Sequence, residues 1–571
     1  MNFFFKIFDI LESKHKKFLF VILFFLIINS ILEVMGLSLI IPLLIFLSGE
    51  PSNFSLPFFD NFFIDTQLAE PKMLIIFSLI SIFVLYTIKT TLMLIISWYQ
   101  AKFQFKIQAE IAIKLFTFYL RAPYSLHLEK NSSDMIRGVI SDVGLFRNII
   151  NQTLLFITSF LIFLFIFFLL ILIEPIGAFI VFLILGGAGS ILFISSKKYI
   201  KKIGIQRQLH DGLQIQQMNQ GLGAIKEVKV SNRENFFTDN FNFHNIGLSQ
   251  VGAKQAFIAS IPRLGVEFIA MLTLCLFIVI LINSEKPLSS LIPIIGIFGG
   301  AAFRLIPSFN AMIVAIQSIR YFMPSLNNLH SSLKDFKFIE KKIIKKEKLD
   351  FKELKIENLT FGYENTSKDI FSKINLNIKK GEIVGIIGES GVGKTTLIDN
   401  IIGLLEPTSG KISFDNKNSR DYIDLWKTNI GYIPQEVYLT DDSIKNNIIF
   451  GLEGSEIYKE KLTKAIEMAE IYSFINSLPL KENTIIGERG ARISGGQKQR
   501  IGIARALYLN PAILIMDEST SNLDELTESE ILKTLMAQKG KITVIFITHR
   551  ISTLKTCDSI YKLDKSLIKI K

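Results

Sequence analysis

Gly385-Ile386-Ile387-Gly388-Glu389-Ser390-Gly391-Val392-Gly393-Lys394-Thr395-Thr396 decides how this chain is read. An apolar run from Ile383 to Ile387 enters a glycine-rich turn, and a helical pattern begins near Leu397. The order is strand, loop, helix, and Gly388 to Thr395 fits G-x-x-x-x-G-K-[ST]. Glycines let backbone N–H groups close around phosphates, and the positive end of the next helix favours an anion. Gly388, Glu389, Ser390, Gly391, Val392, Gly393, Lys394, Thr395 and Thr396 are therefore the expected phosphate cradle. Lys394 is placed to reach β/γ-phosphates, and the Thr395 hydroxyl to ligate Mg²⁺. An ordinary glycine-rich turn with a chance lysine is the bland alternative, and the full spacing in this context argues against it. The expectation is nucleoside triphosphate binding.

Downstream, Ala512-Ile513-Leu514-Ile515-Met516-Asp517-Glu518 reads as a buried strand that ends in two carboxylates. Asp517 suits Mg²⁺, through water, and Glu518 is placed to polarise an attacking water. Between the two motifs lies Ile493-Ser494-Gly495-Gly496-Gln497, followed by Lys498-Gln499-Arg500.

With these stretches in order, residues 359–550 resemble an ATP-binding-cassette ATPase, and the whole chain resembles an ABC exporter half-transporter. The resemblance implies a membrane all-α, six-helix exporter-type domain joined to an α/β P-loop ATP-binding-cassette domain. It implies that Tyr363 stacks on adenine and that Gln435 is the Q-loop residue that senses Mg²⁺. It also implies that Ser494, Gly495, Gly496 and Gln497 form the signature. Ser521-Asn522-Leu523-Asp524 matches the D-loop and His549 the γ-phosphate switch histidine. Catalytic roles then fall to Glu518, His549, Gln435 and Lys394, metal ligation to Thr395, Gln435 and Asp517, with ATP and Mg²⁺ as cofactors. Taken singly, Tyr363 reads as core, Gln435 as a solvated turn and His549 as a satisfied polar residue; jointly, at family spacing, the functional readings win. Two departures are visible: Ile493 stands where the family has Leu, and Asn522 where it has Ala. The first conserves volume; the second adds an amide at the expected dimer interface. One cassette per chain implies a dimer, and the full motif set allows a homodimer.

The N-terminal half reads differently. Six segments near 18–47, 73–98, 151–173, 176–198, 257–283 and 288–318 are long and apolar enough to cross a bilayer. The first run is too long for a signal-peptide h-region and no small-residue cleavage site follows it, so a retained span is expected. Lys and Arg crowd the segments before the first span, between the second and third, and between the fourth and fifth. The opposite loops offer only Lys72 and Lys286. The positive-inside rule then puts both termini and the ATPase domain in the cytoplasm. The expected divisions are 1–325 for the membrane domain, 326–350 for a linker and 351–571 for the nucleotide domain.

The basic loops 99–150 and 199–256 read as helices continued beyond the membrane, with turning points near Pro123–Lys130 and Asp211–Gly221. Glu174-Pro175 marks a tight hairpin, and 51–71 an amphipathic segment at the outer surface. Ionisable residues within spans are costly and are candidates for function. Glu33, Lys89, Arg263, Glu267 and Arg304 stand there. Arg263 and Glu267 are spaced to pair on one helix face, and Pro307 is expected to break the sixth helix beside Arg304. Neutralisation of Arg304 by Glu33 or Glu267 is an equal alternative to a free cavity cation.

Short patterns around Glu33, Ile261-Pro262-Arg263 and Phe303-Arg304-Leu305-Ile306-Pro307 resemble bacterial flippases of lipid-linked oligosaccharides. That resemblance implies Lys89, Arg263 and Arg304 as contacts for a polyprenyl-pyrophosphate-linked glycan, in a bacterial inner membrane. An arginine expected one turn after Pro307 is absent, with Ala311 near that place. The alternatives are an exporter of lipid A, peptide or drugs, or a membrane regulator that translocates nothing.

Composition agrees with this division. At 571 residues the chain exceeds a single core, and 49% of it is hydrophobic, concentrated before residue 320. The net charge of +12 fits cytoplasmic loop lysines, and no nucleic-acid motif accompanies it, so no nucleic-acid partner is expected. Cys275 and Cys557 fall in different compartments, which indicates neither a disulfide nor a metal site.

Overall fold

The computed structural model describes residues 3–39, 71–282, 288–336, 352–363, 368–415, 417–419, 421–452, 454, 458–519 and 524–571. The expected outer segment 51–71 (save its last residue), most of the linker and Ser521-Asn522-Leu523 lie outside the described residues. The chain divides into two compact units: Met1–Ala122 with His127–Glu340, and Pro123–Leu126 with Lys341–Lys571.

The first unit is helical: α1 (Phe3–Ile10), α2 (Ser13–Ser38), α3 (Pro71–Arg121), α4 (Tyr124–Glu129, its residues up to Leu126 grouped with the second unit), α5 (Ser132–Arg137), α6 (Val143–Ile173), α7 (Pro175–Gly223), α8 (Ile225–Val230), α9 (Glu234–Ile282) and α10 (Leu288–Phe336). Six of these helical stretches are long and apolar enough to cross a membrane. Many of their large apolar side chains, such as Phe83, Leu94, Ile194 and Phe268, are exposed outward. Side chains that would be a liability in water are what a helix facing lipid requires.

Close packing needs small residues. A Cβ on Gly204 of α7 would lie 2.5 Å from the Tyr321 carbonyl oxygen of α10, and one on Gly189 would lie 2.4 Å from the Phe309 ring. Arg207 of α7 is buried and donates to Ser325 Oγ of α10 at 2.7 Å, fastening the same pair. Near the same end of α10, α1 docks through Asp9 and His330, 2.9 Å apart.

The basic loops are helices that continue the spans, as expected. Glu174 alone separates α6 from α7. The first hairpin turns between Arg121 and Ser132, as expected, and a π-helical turn at Gly138–Asp142 joins α5 to α6. The second does not turn at Asp211–Gly221. There α7 runs on to Gly223 through Gln214, Gln216, Gln217 and Gln220, all tolerant helix formers, and the chain reverses at α8 and at Asn232, φ +52°. Pro307 does not break α10 either. The helix runs through it from Leu288 to Phe336, with Ser308 Oγ donating to the Arg304 carbonyl at 2.9 Å, one turn back, beside the bond that proline cannot make.

The second unit is α/β. A mostly parallel sheet runs in the order β10-β9-β3-β8-β7-β6, with β3 (Ile383–Ile387), β6 (Ile430–Ile433), β7 (Ile513–Asp517), β8 (Thr543–Ile547), β9 (Ser559–Asp564) and β10 (Ser566–Lys569). Its central strands β7 and β8 are buried throughout, as continuous apolar runs in a parallel sheet must be. A smaller antiparallel sheet, β2-β1-β4-β5, is built from β1 (Glu353–Phe361), β2 (Phe371–Lys379), β4 (Ser409–Phe414) and β5 (Lys417–Asn418). Between the sheets lies a core in which Trp426 stacks on Phe414 at 5.0 Å and donates to the Ile401 carbonyl at 2.6 Å. That core seats α11 (Lys394–Ile402) behind the phosphate loop.

Candidate functional site

The expected site residues gather in two places, one in each unit. In the nucleotide unit the loop after β3 turns on Gly391 (φ +82°) and Gly393 (φ +101°), conformations that favour glycine. A Cβ on Gly393 would also stand 2.5 Å from Ile370. Lys394 opens α11 and is buried; its ammonium donates to the Gly388 carbonyl at 2.7 Å and the Glu389 carbonyl at 3.1 Å. The third partner is His549 Nε2 at 3.1 Å, so the histidine presents a bare nitrogen to it. One cation thus spans the mouth of the loop, at the point where phosphates are expected.

Thr395 Oγ1 donates to Asp517 Oδ2 at 3.2 Å. Burial pushes the Asp517 carboxyl above its ordinary value; the Thr395 bond works in the opposite direction, and the charge of Glu518 reinforces burial. A carboxylate raised by burial beside a hydroxyl is a donor set that fits Mg²⁺, whose charge would restore the ionised form. Glu518 follows at the strand end with φ +46°, a strained backbone for a residue with a side chain. Its N–H donates to the Ile547 carbonyl of β8 at 2.9 Å, which fixes the kink. Its carboxylate accepts from Gln435 Nε2 at 3.0 Å and stands 3.7 Å from His549 Nε2. Lys394, Thr395, Gln435, Asp517, Glu518 and His549 therefore form one connected cluster at the ends of parallel strands.

The remaining expected residues stand around it. Tyr363 sits edge-on to Phe361 at 5.1 Å with its ring partly exposed, a usable stacking face. Ser494 caps α12 (Gly495–Tyr508) by accepting from Gln497 N at 3.3 Å, while Gln497 Oε1 accepts from Ser494 N at 2.9 Å. This capping box leaves the first turn, Gly495 and Gly496, with backbone N–H groups pointing out of a 14-residue helix. Gln499 ties that helix to the Pro434 carbonyl beside Gln435 at 3.4 Å. Asp524 caps α13 (Glu525–Met536) through Thr527 N at 2.9 Å, and that bond holds its carboxyl below the usual range. The sequence reading missed Asp399. It lies on α11, and burial, then the charge of Asp517, pushes it up to about 6. Its signal was a carboxylate on the apolar helix that follows the phosphate loop.

In the membrane unit, Glu33 of α2 is almost fully buried and joins two cations. Lys89 of α3 pairs with its Oε2, and Arg304 Nε of α10 lies 2.8 Å from its Oε1. The Tyr86 ring lies under both, 5.0 Å from Lys89 Nζ and 5.9 Å from Arg304 Cζ. Arg263 is not part of this group: it pairs with Glu267 at 3.3 Å, the side chain largely exposed. Of the expected substrate residues, the fold unites two and leaves the third elsewhere.

A six-span helical unit and a P-loop unit with this cluster define the class, a membrane transporter with an ATP-binding domain. Residues 371–521 match the ABC transporter family, and residues 19–295 match the ABC transporter transmembrane region. The chain belongs to the ABC transporters, with both the transmembrane region and the ATP-binding domain of that family. It is 38% identical over 213 residues to an ATP-dependent lipid A-core flippase of Coxiella burnetii, covering 37% of this chain and 36% of that one. The corresponding flippase of Syntrophus aciditrophicus is 40% identical over 218 residues, 38% of this chain and 35% of the relative. Multidrug resistance protein 1 of Entamoeba histolytica is 38% identical over 220 residues, 38% of this chain and 17% of the relative. The matched stretches thus span little over a third, or less, of these relatives. A bacterial Atm1-family ABC exporter with ATP bound superposes with a TM-score of 0.77 over 94% of both chains at 20% identity, a likeness of fold.

Proposed function

We propose that this chain uses ATP hydrolysis to move an anionic amphipathic lipid across a bacterial inner membrane, with a polyprenyl-pyrophosphate-linked oligosaccharide as the substrate. The observation that carries the substrate class is the convergence of Lys89 and Arg304 on one buried carboxylate inside the spans. Two cations against one anion leave a positive excess in a low-dielectric setting, which favours a phosphate or pyrophosphate head group.

On the ATP side, Lys394 would exchange its loop carbonyls for β/γ-phosphate oxygens, and Tyr363 would stack on adenine. Thr395 and Asp517, with Gln435, would hold Mg²⁺, which neutralises charge on the phosphates. Glu518, strained at a strand end and oriented by Gln435, polarises the attacking water, and His549 contacts the γ-phosphate. The signature turn at Ser494–Gln497 serves the ATP of a second copy, so the working form is a homodimer. Both termini and the nucleotide domain, 351–571, face the cytoplasm, and the membrane domain is 1–325.

Translocation of a polyprenyl-pyrophosphate oligosaccharide in proteoliposomes tests this, with Glu518→Gln as control. ATP-dependent movement in the wild type alone supports it; vigorous hydrolysis without movement refutes this substrate. Lipid A-core is the second reading, favoured by the names of the relatives matched above, and it is the competing cargo in the same assay.

A further inference from the structure

We infer that Glu33 is a built-in stand-in for the head group: an internal anion that holds Lys89 and Arg304 until an incoming phosphate displaces it, and that recaptures them to release cargo. The inference rests on the substrate reading above and assigns Glu33 a role in that site.

Glu33 is 3% exposed, and its partners come from two other helices. Lys89 and Arg304 lie partly buried inside the spans, where a cation without an anion is unfavourable, so both call for a counter-charge whenever no cargo is present. Glu33 supplies it incompletely. Arg304 Nε lies 2.8 Å from Oε1 but out of line, and that buried oxygen accepts no hydrogen bond. One side of the carboxylate is thus held by charge alone, while Lys89 grips the other. Arg304 is also the more accessible of the two cations, its side chain 36% exposed against 13% for Lys89.

The order of exchange follows. A dianionic or more highly charged phosphate engages Arg304 first, where the contact is misaligned and open, with guanidinium geometry suited to bidentate phosphate binding. It then shares Lys89, and its charge satisfies both cations where a single carboxylate does not. Tyr86, beneath both, keeps them side by side during the exchange. A neutral lipid gains nothing from the site.

The test is binding of farnesyl pyrophosphate to the full chain in nanodiscs by thermophoresis, with farnesol and inorganic pyrophosphate as comparisons. Glu33→Gln removes the competitor and is expected to lower the Kd for farnesyl pyrophosphate by about tenfold and to slow its release. Glu33→Asp, which withdraws the carboxylate by one methylene, is expected to lower it by about threefold, and it serves if the Gln variant does not fold. Parallel tightening of inorganic pyrophosphate supports a site for the head group itself. Unchanged or weaker pyrophosphate binding in a folded Glu33 variant, or equal tightening of farnesol, overturns the inference. Failure of the wild type to bind farnesyl pyrophosphate, with the same result in Lys89→Ala/Arg304→Ala, refutes the substrate reading instead.

Discussion

In the nucleotide unit, the clustered polar groups sit at or just after strand ends: Lys394 and Thr395 after β3, Asp517 and Glu518 at the end of β7, His549 after β8. In the membrane unit, Glu33, Lys89 and Arg304 come from α2, α3 and α10, and no local pattern unites them. The first cluster is dictated by backbone geometry: glycines at positive φ, a kinked strand end and helix N-termini. The second is dictated by desolvation, because charges buried in spanning helices must find one another. A site of the first kind is written in spacing; a site of the second kind is written in which helices pack.

Substitutions can break that contrast. The largest effect is expected from Glu518→Gln, where the carboxylate proposed to polarise water becomes an amide. ATP turnover should fall by about 10²-fold or more while ATP still binds, as read from phosphate release and nucleotide binding side by side. Turnover near wild type would remove Glu518 from the chemistry. Next, Lys89→Ala/Arg304→Ala leaves Glu33 without its cations, and transport of the pyrophosphate lipid should fall by at least about tenfold. Transport at the wild-type rate would make the trio a structural fastening.

Two smaller effects sharpen the comparison within the nucleotide unit. Asp399 titrates at about 6 against an ordinary 3.8 because of burial and then Asp517. An acid whose folded value is raised binds protons more tightly when folded, so its contribution to stability falls as pH rises from about 4 through 6. Asp399→Asn should therefore stabilise the chain by about 1 kcal/mol at pH 8, after allowance for solvent screening, and the gain should vanish near pH 4. Thermal shift across that range checks the sign. Ser494→Ala removes one half of the capping box and should cost about 1 kcal/mol of stability at any pH, measured the same way.

How much of this was legible beforehand follows the same division. The phosphate loop, the strand ending at Asp517 and Glu518, and Gln435 and His549 were readable because each motif carries its backbone context with it. Asp399 was not, because its perturbation depends on how α11 packs against β7. In the membrane unit the spans and the Glu174 hairpin were readable from hydropathy and a proline. The second turn was misplaced, because polar, glycine-bearing sequence around Asp211–Gly221 resembles a loop until α7 packs along its neighbours. Pro307 reads as a break, yet α10 carries it as an interior residue at the loss of one backbone bond. The flippase resemblance groups Arg263 with Lys89 and Arg304, whereas its helical spacing to Glu267 gives the partner it has in the structure.

The central claim is that the motif-built site drives the transport for which the convergent site selects. The most direct measurement is ATP hydrolysis against pyrophosphate-lipid concentration, in wild type and in Lys89→Ala/Arg304→Ala, with neutral polyprenol as comparison. Hydrolysis that rises with the pyrophosphate lipid in wild type, and does not rise in the double variant or with polyprenol, is the expected result. Equal stimulation in both proteins, or by both lipids, would contradict the claim.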